Sequence, residues 1–563
     1  MSATQDEAHE RPPSPVQSSS STVSLSNFDD QLWDSFSCAG GGVADMGGDS
    51  FRDSIVRPSS RLRYETCEGD LNQWNIQAKL IEVHDMQTMV RHYLIRVNPR
   101  VPFLNSGQQL HDVERVLAGK EDDRLQLVAQ IELIMALLQI MTDETAGMGN
   151  ATPVGWREFQ SAESLLQRRS WNGISNLRTI QCLILKTMYL IYADRNDLAY
   201  DTVAVIVRIC FQLGLHNQDY WELCSPFEVH LRQRILWTVF CMERHVVESC
   251  QLPCLLRQSQ LEVALPRHID DNKLQAGQDV LPPEDPGAPI QHLYFSYQRA
   301  VLFTEVWDHR VLALPGGQGH GHHTDAHLVA TIDSRIESLR AEMPRYLHWS
   351  SSDLPHESQI NPSRRFFVRE SLVLHLLLNS LRLLLRKPWI DDNTQTSTEI
   401  VGNCIEIMAD SIHSLHSYHQ TSLPDPIERY TSVRYLLDAL RPLARIILYK
   451  SDLMGWHRRQ ARQSFDIGLS LLKEFSSHLT LARTELEKIQ HMVAEVMDKT
   501  RDYCVTGSIA DCLEWDDVLA WDAMPSSLGD ICEIIPRPST VSELFPEPAL
   551  GEMEMNHGFC FSA

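Results

Sequence analysis

Apolar positions recur three and four residues apart along most of this chain, and strand-like alternation is scarce. That period lays one apolar stripe along a helix, so the pattern predicts a mostly α-helical body from about residue 75 to 500. Val128 to Met141 (VAQIELIMALLQIM) reads as a helix that is apolar on nearly every side. Leu177 to Tyr192 and Leu198 to Leu213 read as an antiparallel pair joined by a polar turn at Asp194, Arg195 and Asn196. Val229 to Cys250 sets Leu231, Ile235, Val239 and Met242 on one face. Further helices are expected at Ile332 to Met343, Arg365 to Arg386, Thr396 to Tyr418, Arg434 to Tyr449 and Ile467 to Met497. Breaks rich in Pro, Gly and polar residues fall at 267 to 290, 315 to 325 and 349 to 363. No fixed-period repeat marks a regular solenoid.

Within this pattern five phrases occur in order. They are Ile180-Gln181-Cys182-Leu183-Ile184-Leu185; Val207 to His216, ending Leu213-Gly214-Leu215-His216; Arg232-Gln233-Arg234-Ile235-Leu236-Trp237; Glu243-Arg244; and Leu265-Pro266. Together they resemble the middle homology domain of fungal zinc-cluster transcription factors, and residues 120 to 270 carry the best match. Leu384-Leu385-Arg386-Lys387-Pro388-Trp389 resembles a further phrase of that family, a helix ending in a Leu-x-Arg-Pro motif. The chain departs from the pattern at two places. Thr238 stands where the family has a second Trp, and Gln251-Leu252-Pro253 stands where it has Gly-Arg-Pro. Gln tolerates a positive φ poorly, so the second change puts the turn after the long helix in question.

The resemblance implies a regulatory body that gates transcription in response to metabolites or partner proteins, together with DNA binding through six cysteines holding two zinc ions. Paired thiolates at Cys-x2-Cys spacing are the usual opening of such a site. Here the first two cysteines are Cys38 and Cys67, and no two cysteines in the sequence stand at that spacing. The sequence is therefore expected to lack the zinc module. A formal net charge of -24 also opposes DNA affinity, which depends on Lys and Arg displacing counterions.

The two ends differ in composition from the middle. Residues 1 to about 60 are rich in Ser, Pro, Gly and Asp and bury too little apolar surface to offset ordering entropy, which predicts disorder. Between Arg501 and Arg537 there is no Lys or Arg, and eight acids are interleaved with Leu513, Trp515, Val518, Leu519 and Trp521. Acids keep such a segment solvated while its aromatics stay available to a partner groove, the composition of an acidic activation segment. On a helix Trp515, Val518 and Leu519 would share a face. The competing reading is a helix docked on its own domain.

Other chemistry is sparse. The thirteen cysteines are scattered, and several sit in apolar runs as reduced core thiols do. The N-terminal residues have no apolar stretch resembling a secretory signal. No uninterrupted apolar run reaches about 18 residues. The nearest, Leu372 to Leu385, carries His375, Asn379, Ser380 and Arg382, which marks a buried helix. His320, His322, His323 and His327 form a Gly/His-rich run whose simplest reading is a loop, and Cys250 with Cys254 supplies only two ligands. No Gly-x-Ser-x-Gly, His-Glu-x-x-His or phosphate-loop motif occurs, and each Asp-Asp pair lacks the third acid of a diphosphate-binding run.

The expected fold is all-α: a multi-helix regulatory domain at 75–500, flanked by a disordered segment at 1–60 and an acidic tail at 501–563. The expected function is transcription regulation in a fungal nucleus, with no catalytic, cofactor or metal residues. The alternatives are a co-regulator that reaches DNA through a partner protein, an incomplete form of a factor, and a helical enzyme. The partners consistent with this reading are a coactivator, a DNA-binding protein, a small-molecule effector and a second copy of the chain, with no membrane. The residues carrying the family resemblance are Leu213, Gly214, Leu215, His216, Arg232, Arg234, Leu236, Trp237, Arg244, Pro253, Leu265 and Pro266. For Arg232, Arg234 and Arg244 the resemblance leaves two roles open: an effector or partner contact, or pairing with acids and carbonyls of neighbouring helices.

Overall fold

A computed structural model describes residues 83–117, 124–142, 153–170, 176–312, 326–354, 362–391, 398–421, 426–449 and 455–504. The segment 1–60, Cys38, Cys67, the Gly/His run through His323 and the acidic tail with Trp515, Val518 and Leu519 lie outside the described residues.

Among the described residues the regular structure is helical, and the only β-pairing is one isolated bridge between Asn217 and Glu262. The first half comprises α1 (Val83–Arg96), α2 (Ser106–Leu117), α3 (Arg124–Thr142), α4 (Trp156–Ser170), α5 (Leu177–Tyr192), α6 (Asn196–Gln212) and α7 (Pro226–Cys250). A long loop leads to α8 (Gln291–Leu312) and α9 (Ala326–Glu342). The second half is α10 (Pro362–Asp391), α11 (Thr398–His419), α12 (Pro426–Tyr449), α13 (Gly455–Ser476) and α14 (Thr480–Cys504).

Helix α3 lies at the centre of the first half, packed against α1, α2, α4, α5 and α12. By length and composition its segment Leu125–Thr142 could cross a membrane, which corrects the expectation that Leu372 to Leu385 comes nearest to doing so. Here neighbouring helices cover it; Gln126 Nε2 donates to Thr179 Oγ1 at 2.8 Å, and Glu132 Oε1 accepts from Ser161 Oγ at 2.9 Å. The all-round apolar pattern therefore reflects a core position.

The α5–α6 pair forms where the sequence places it. Asn176 caps α5 by accepting from the Thr179 N–H, and Thr179 returns a bond to the Asn176 backbone, satisfying two orphan donors. Asp194 takes a left-handed φ of 57° in the turn, and the Arg195 N–H reaches back to Leu190 O at 2.8 Å. Helix α7 starts on a second capping box, Ser225 with Glu228, and carries Pro226 in its first turn.

Helix α10 joins the halves by having two apolar faces. Leu372, Val373, Leu376, Leu383 and Ile390 pack into the core shared with α11 to α14. Leu374, Leu378, Leu381 and Leu385 face a separate core with Phe303, Val306 and Trp307 of α8 and Ile332 and Ile336 of α9. The helix also runs past Pro388 to Asp391, beyond the end the sequence suggested. The stretch expected as one helix from Ile467 to Met497 is two, because the chain turns at residues 477–479 between α13 and α14. Helices α1, α2, α4 and α8 had no assigned span in the sequence pattern.

Candidate functional site

The ordered phrases of the sequence meet around α7. Helix α6 ends at Leu213-Gly214-Leu215-His216, where Gly214 takes φ 65°, a conformation that suits glycine. The Leu215 N–H then reaches Cys210 O at 2.8 Å, Leu215 is fully buried, and Trp221 Nε1 donates to Gly214 O at 2.9 Å. Past that turn, the Glu262 N–H bonds His216 O at 2.8 Å and brings in the segment carrying Leu265 and the buried Pro266. Trp237 of α7 closes the unit by donating from Nε1 to Ala264 O at 3.0 Å, and Leu236 is buried beside it. Burial keeps the His216 imidazole below its usual pKa despite nearby Glu262.

Two arginines of α7 are almost wholly buried. Arg234 donates from Nε to Pro102 O, from Nη2 to Leu104 O, and from Nη1 to Asp271 Oδ1 at 2.6 Å. Asp271 also accepts from the Ser106 N–H at 2.7 Å and from Asn105 Nδ2 at 2.9 Å. One guanidinium thus ties the α1–α2 loop to the loop after α7. Burial raises the Asp271 pKa, but Arg234 and Ser106 outweigh it and the carboxyl sits below its ordinary value. Arg244 pairs with Glu243 at 2.7 Å, donates to Leu256 O at 2.6 Å and lies 3.5 Å from the centre of the Phe240 ring. Arg232 is only half-buried and sits 5.9 Å from the centre of the Trp221 ring.

The turn after α7 keeps the left-handed geometry that a glycine would favour. Gln251 has φ 55° and ψ 39°, and its Nε2 donates to Glu248 O at 2.7 Å. Pro253 is exposed, and its carbonyl accepts from Tyr200 Oη at 3.2 Å.

Behind this unit lies a cavity of about 200 Å³, lined by α1, α3, α5, α7, α8, α10 and α12 and by the loop after α1. Five guanidiniums line it: Arg96, Arg100, Arg299, Arg369 and Arg434. Four carboxylates sit among them. Glu370 accepts from Arg369 Nε at 2.7 Å and lies 2.9 Å from His292 Nε2. Glu248 bonds Arg299 at 2.9 Å, Glu428 lies 3.7 Å from Arg369, and Asp438 accepts from Ser380 Oγ at 3.1 Å. Glu370 is fully buried, which by itself would raise its pKa, but His292 and Arg369 hold it well below the usual carboxylate range. Asp438 is pushed up by burial even with Arg434 nearby. His245, on the wall, is held well below its ordinary value by burial and then by Arg434, Arg299 and Arg100, so it is neutral.

Four buried polar atoms of wall residues have no hydrogen-bond partner: Thr238 Oγ1, His292 Nε2, Arg299 Nε and Arg369 Nη2. The cavity is also lined by the apolar side chains of Met141, Met188, Ile191, Leu293 and Ile427. Of the family-phrase positions and the departures from them, only Thr238 lines this cavity. Arg369-Glu370 and Arg434 lie in helices that also carry Arg382, Arg386, Asp438 and Arg445, so the sequence pattern alone does not single them out. Among the described residues no group of three or more His, Cys, Asp or Glu side chains is gathered to hold a metal ion. Cys250 donates to Asn196 O at 3.1 Å, and burial pushes the Cys250 and Cys254 thiols up to about 11 and about 12.

Residues 90–298 match the model of the fungal specific transcription factor domain. The chain is similar to Protein STB5 of Saccharomyces cerevisiae, 25% identical over 181 residues, which covers 32% of this chain and 24% of that protein. It is 23% identical over 257 residues to the pyrrolocin cluster transcription factor fsdR of a fungal species, covering 42% of this chain and 31% of the relative. To the equisetin cluster transcription factor eqxF of Fusarium heterosporum it is 23% identical over 227 residues, covering 35% and 32%. The aligned region thus spans about a quarter to a third of the length of these curated relatives.

Proposed function

We infer, from the fungal-specific transcription factor domain that this chain carries at residues 90–298, that the chain regulates transcription in the nucleus and is not an enzyme. The single observation behind this reading is the match of that domain model over residues 90–298, which include the block where α6, α7 and the loop to Pro266 interlock; relatives named as transcription factors align with part of the chain. In this reading the helical body is the input side. The acidic segment 501–540 is the output side, with Trp515, Val518 and Leu519 as anchors for a coactivator groove.

A second reading makes the chain a co-regulator that reaches DNA through a DNA-binding partner. It is supported by the net charge of -24, which opposes direct affinity for DNA. The test is a reporter driven by the full chain fused to a foreign DNA-binding domain. Activation is expected, and changing Trp515, Val518 and Leu519 to Ala should abolish it, since each buried anchor is worth about 1–2 kcal/mol. A fusion that leaves the reporter unchanged would refute the output assignment. Specific binding of the unfused chain to duplex DNA without a partner, at about 0.15 M salt, would refute the second reading.

A further inference from the structure

We propose that the arginine-lined cavity behind α7 is a binding site for a small organic carboxylate with an apolar body. The charge balance supports an anion. Five guanidiniums and four carboxylates gather at the site, and only Glu428 of those carboxylates is itself on the wall. Glu370 is shared between Arg369 and His292, and Glu248 takes one edge of Arg299. Arg299 Nε, Arg369 Nη2, His292 Nε2 and the Thr238 hydroxyl remain without hydrogen-bond partners, against a single unpaired acceptor, Glu370 Oε2. A buried donor without an acceptor costs about 1–3 kcal/mol, so leaving several at one cavity is unfavourable unless something binds there. A carboxylate supplies two acceptor oxygens and the missing negative charge, and guanidiniums are the side chains suited to hold it.

The apolar lining fixes the rest of the ligand. Met141, Met188 and Met242 are flexible and polarisable, and with Ile191, Leu293 and Ile427 they form a surface that a bare inorganic anion would leave uncovered. A cavity of about 150 Å³ is enough to hold benzene. About 200 Å³ therefore admits a ring or short alkyl chain with one carboxylate. The cavity also lies where α3, α5 and α7 of the matched domain meet α10 and α12, so an occupant touches both halves at once.

This proposal rests on reading the helical body as the input side. It is tested by binding alone, so it can fail while the transcriptional reading stands, and the reverse. Thermal unfolding and calorimetric titration of the full chain would be compared for benzoate and hexanoate, their neutral counterparts benzamide and hexanamide, and inorganic phosphate. The acids should raise the melting temperature and bind, while the amides and phosphate should do neither. Ala300→Leu, which adds bulk to the wall, should remove the response to the acids. Thr238→Val keeps the volume but removes the hydroxyl, and should weaken acid binding about fivefold even if Ala300→Leu does not fold. Acids that have no effect, amides that stabilise as well as acids, phosphate that binds more tightly than either acid, or an undiminished response in a folded Ala300→Leu protein would each overturn the proposal.

Discussion

Arg234 offers the most direct measurement of what holds the matched domain together. Replacing it with Met keeps most of the length and apolar bulk of the side chain but removes the guanidinium. Three bonds disappear at once: those to Pro102 O, Leu104 O and Asp271. Two carbonyls are then left in a dry interior, each at a cost of about 1–3 kcal/mol, and Asp271 loses its counter-charge. Removing one partner of a buried pair costs about 3–5 kcal/mol. The Asp271 side chain is 25% exposed, so water offsets part of that cost. About 4 kcal/mol is the expected loss for Arg234→Met, against a total stability of about 5–15 kcal/mol for a domain. The assay is urea unfolding of the full chain at neutral pH, followed by circular dichroism. Asp271→Asn alone should cost about 2 kcal/mol. The double variant should be more stable than the sum of the two losses by about 1 kcal/mol or more, because it leaves no lone charge behind. Arg267, paired with Glu284 with both side chains about half exposed, serves as a surface control, and Arg267→Gln should change stability by less than about 0.5 kcal/mol. If Arg234→Met costs less than about 1 kcal/mol, or if the two losses add without coupling, the structural role assigned to Arg234 is refuted and a contact with an outside partner becomes the better account.

Two further outcomes are expected. Burial, partly offset by the bond from Ser161, pushes the Glu132 carboxyl up to about 7, so between its ordinary value and that point the folded state holds a proton that the unfolded chain has released. That contribution is present at low pH and lost as pH rises through 7. Glu132→Gln should accordingly stabilise the protein by about 3 kcal/mol at pH 8 and by little near pH 4.5, and denaturation curves whose difference is independent of pH would refute the assignment. At the left-handed turn after α7, Gln251→Gly should raise stability by about 0.5–1 kcal/mol, because relief of the Cβ strain exceeds the added chain entropy. A melting temperature that falls would show that the Gln251 bond to Glu248 outweighs the strain.

Legibility in the sequence followed the range over which each feature is determined. The α5–α6 pair was readable because its turn, its caps and both apolar stripes lie within forty residues. The split between α13 and α14 was not, since the turn after Ser476 contains neither Gly nor Pro and the apolar spacing continues across it. Helix α8 escaped notice because Phe295, Phe303 and Trp307 alternate with His, Arg and Glu in a helix packed on two sides, so no single stripe stands out. The buried places of Arg234 and Arg244 agree with the reading in which such residues pair with acids and carbonyls. The cavity could not be read at all. Its walls come from positions as far apart as Arg96 and Tyr435, and only folding brings them together. One local trace existed at Thr238, where a small residue replaces the second Trp of the family phrase and leaves room that an indole would fill.

The match to the domain model ends at residue 298, but the packing does not. Ile427 and Tyr430 of α12 belong to the core of the first half, and Tyr430 Oη closes on the carbonyl of Ile191 at the end of α5. A fragment cut at the edge of the match would expose Tyr192, whose ring rests 4.3 Å from that of Tyr430, together with the flank of α3. The matched segment therefore draws part of its core from outside its own bounds. Exchanging it between relatives would require transplanting a few residues of a helix more than a hundred positions downstream. Selection on the second half should accordingly fall most heavily on the handful of side chains that it lends to the first.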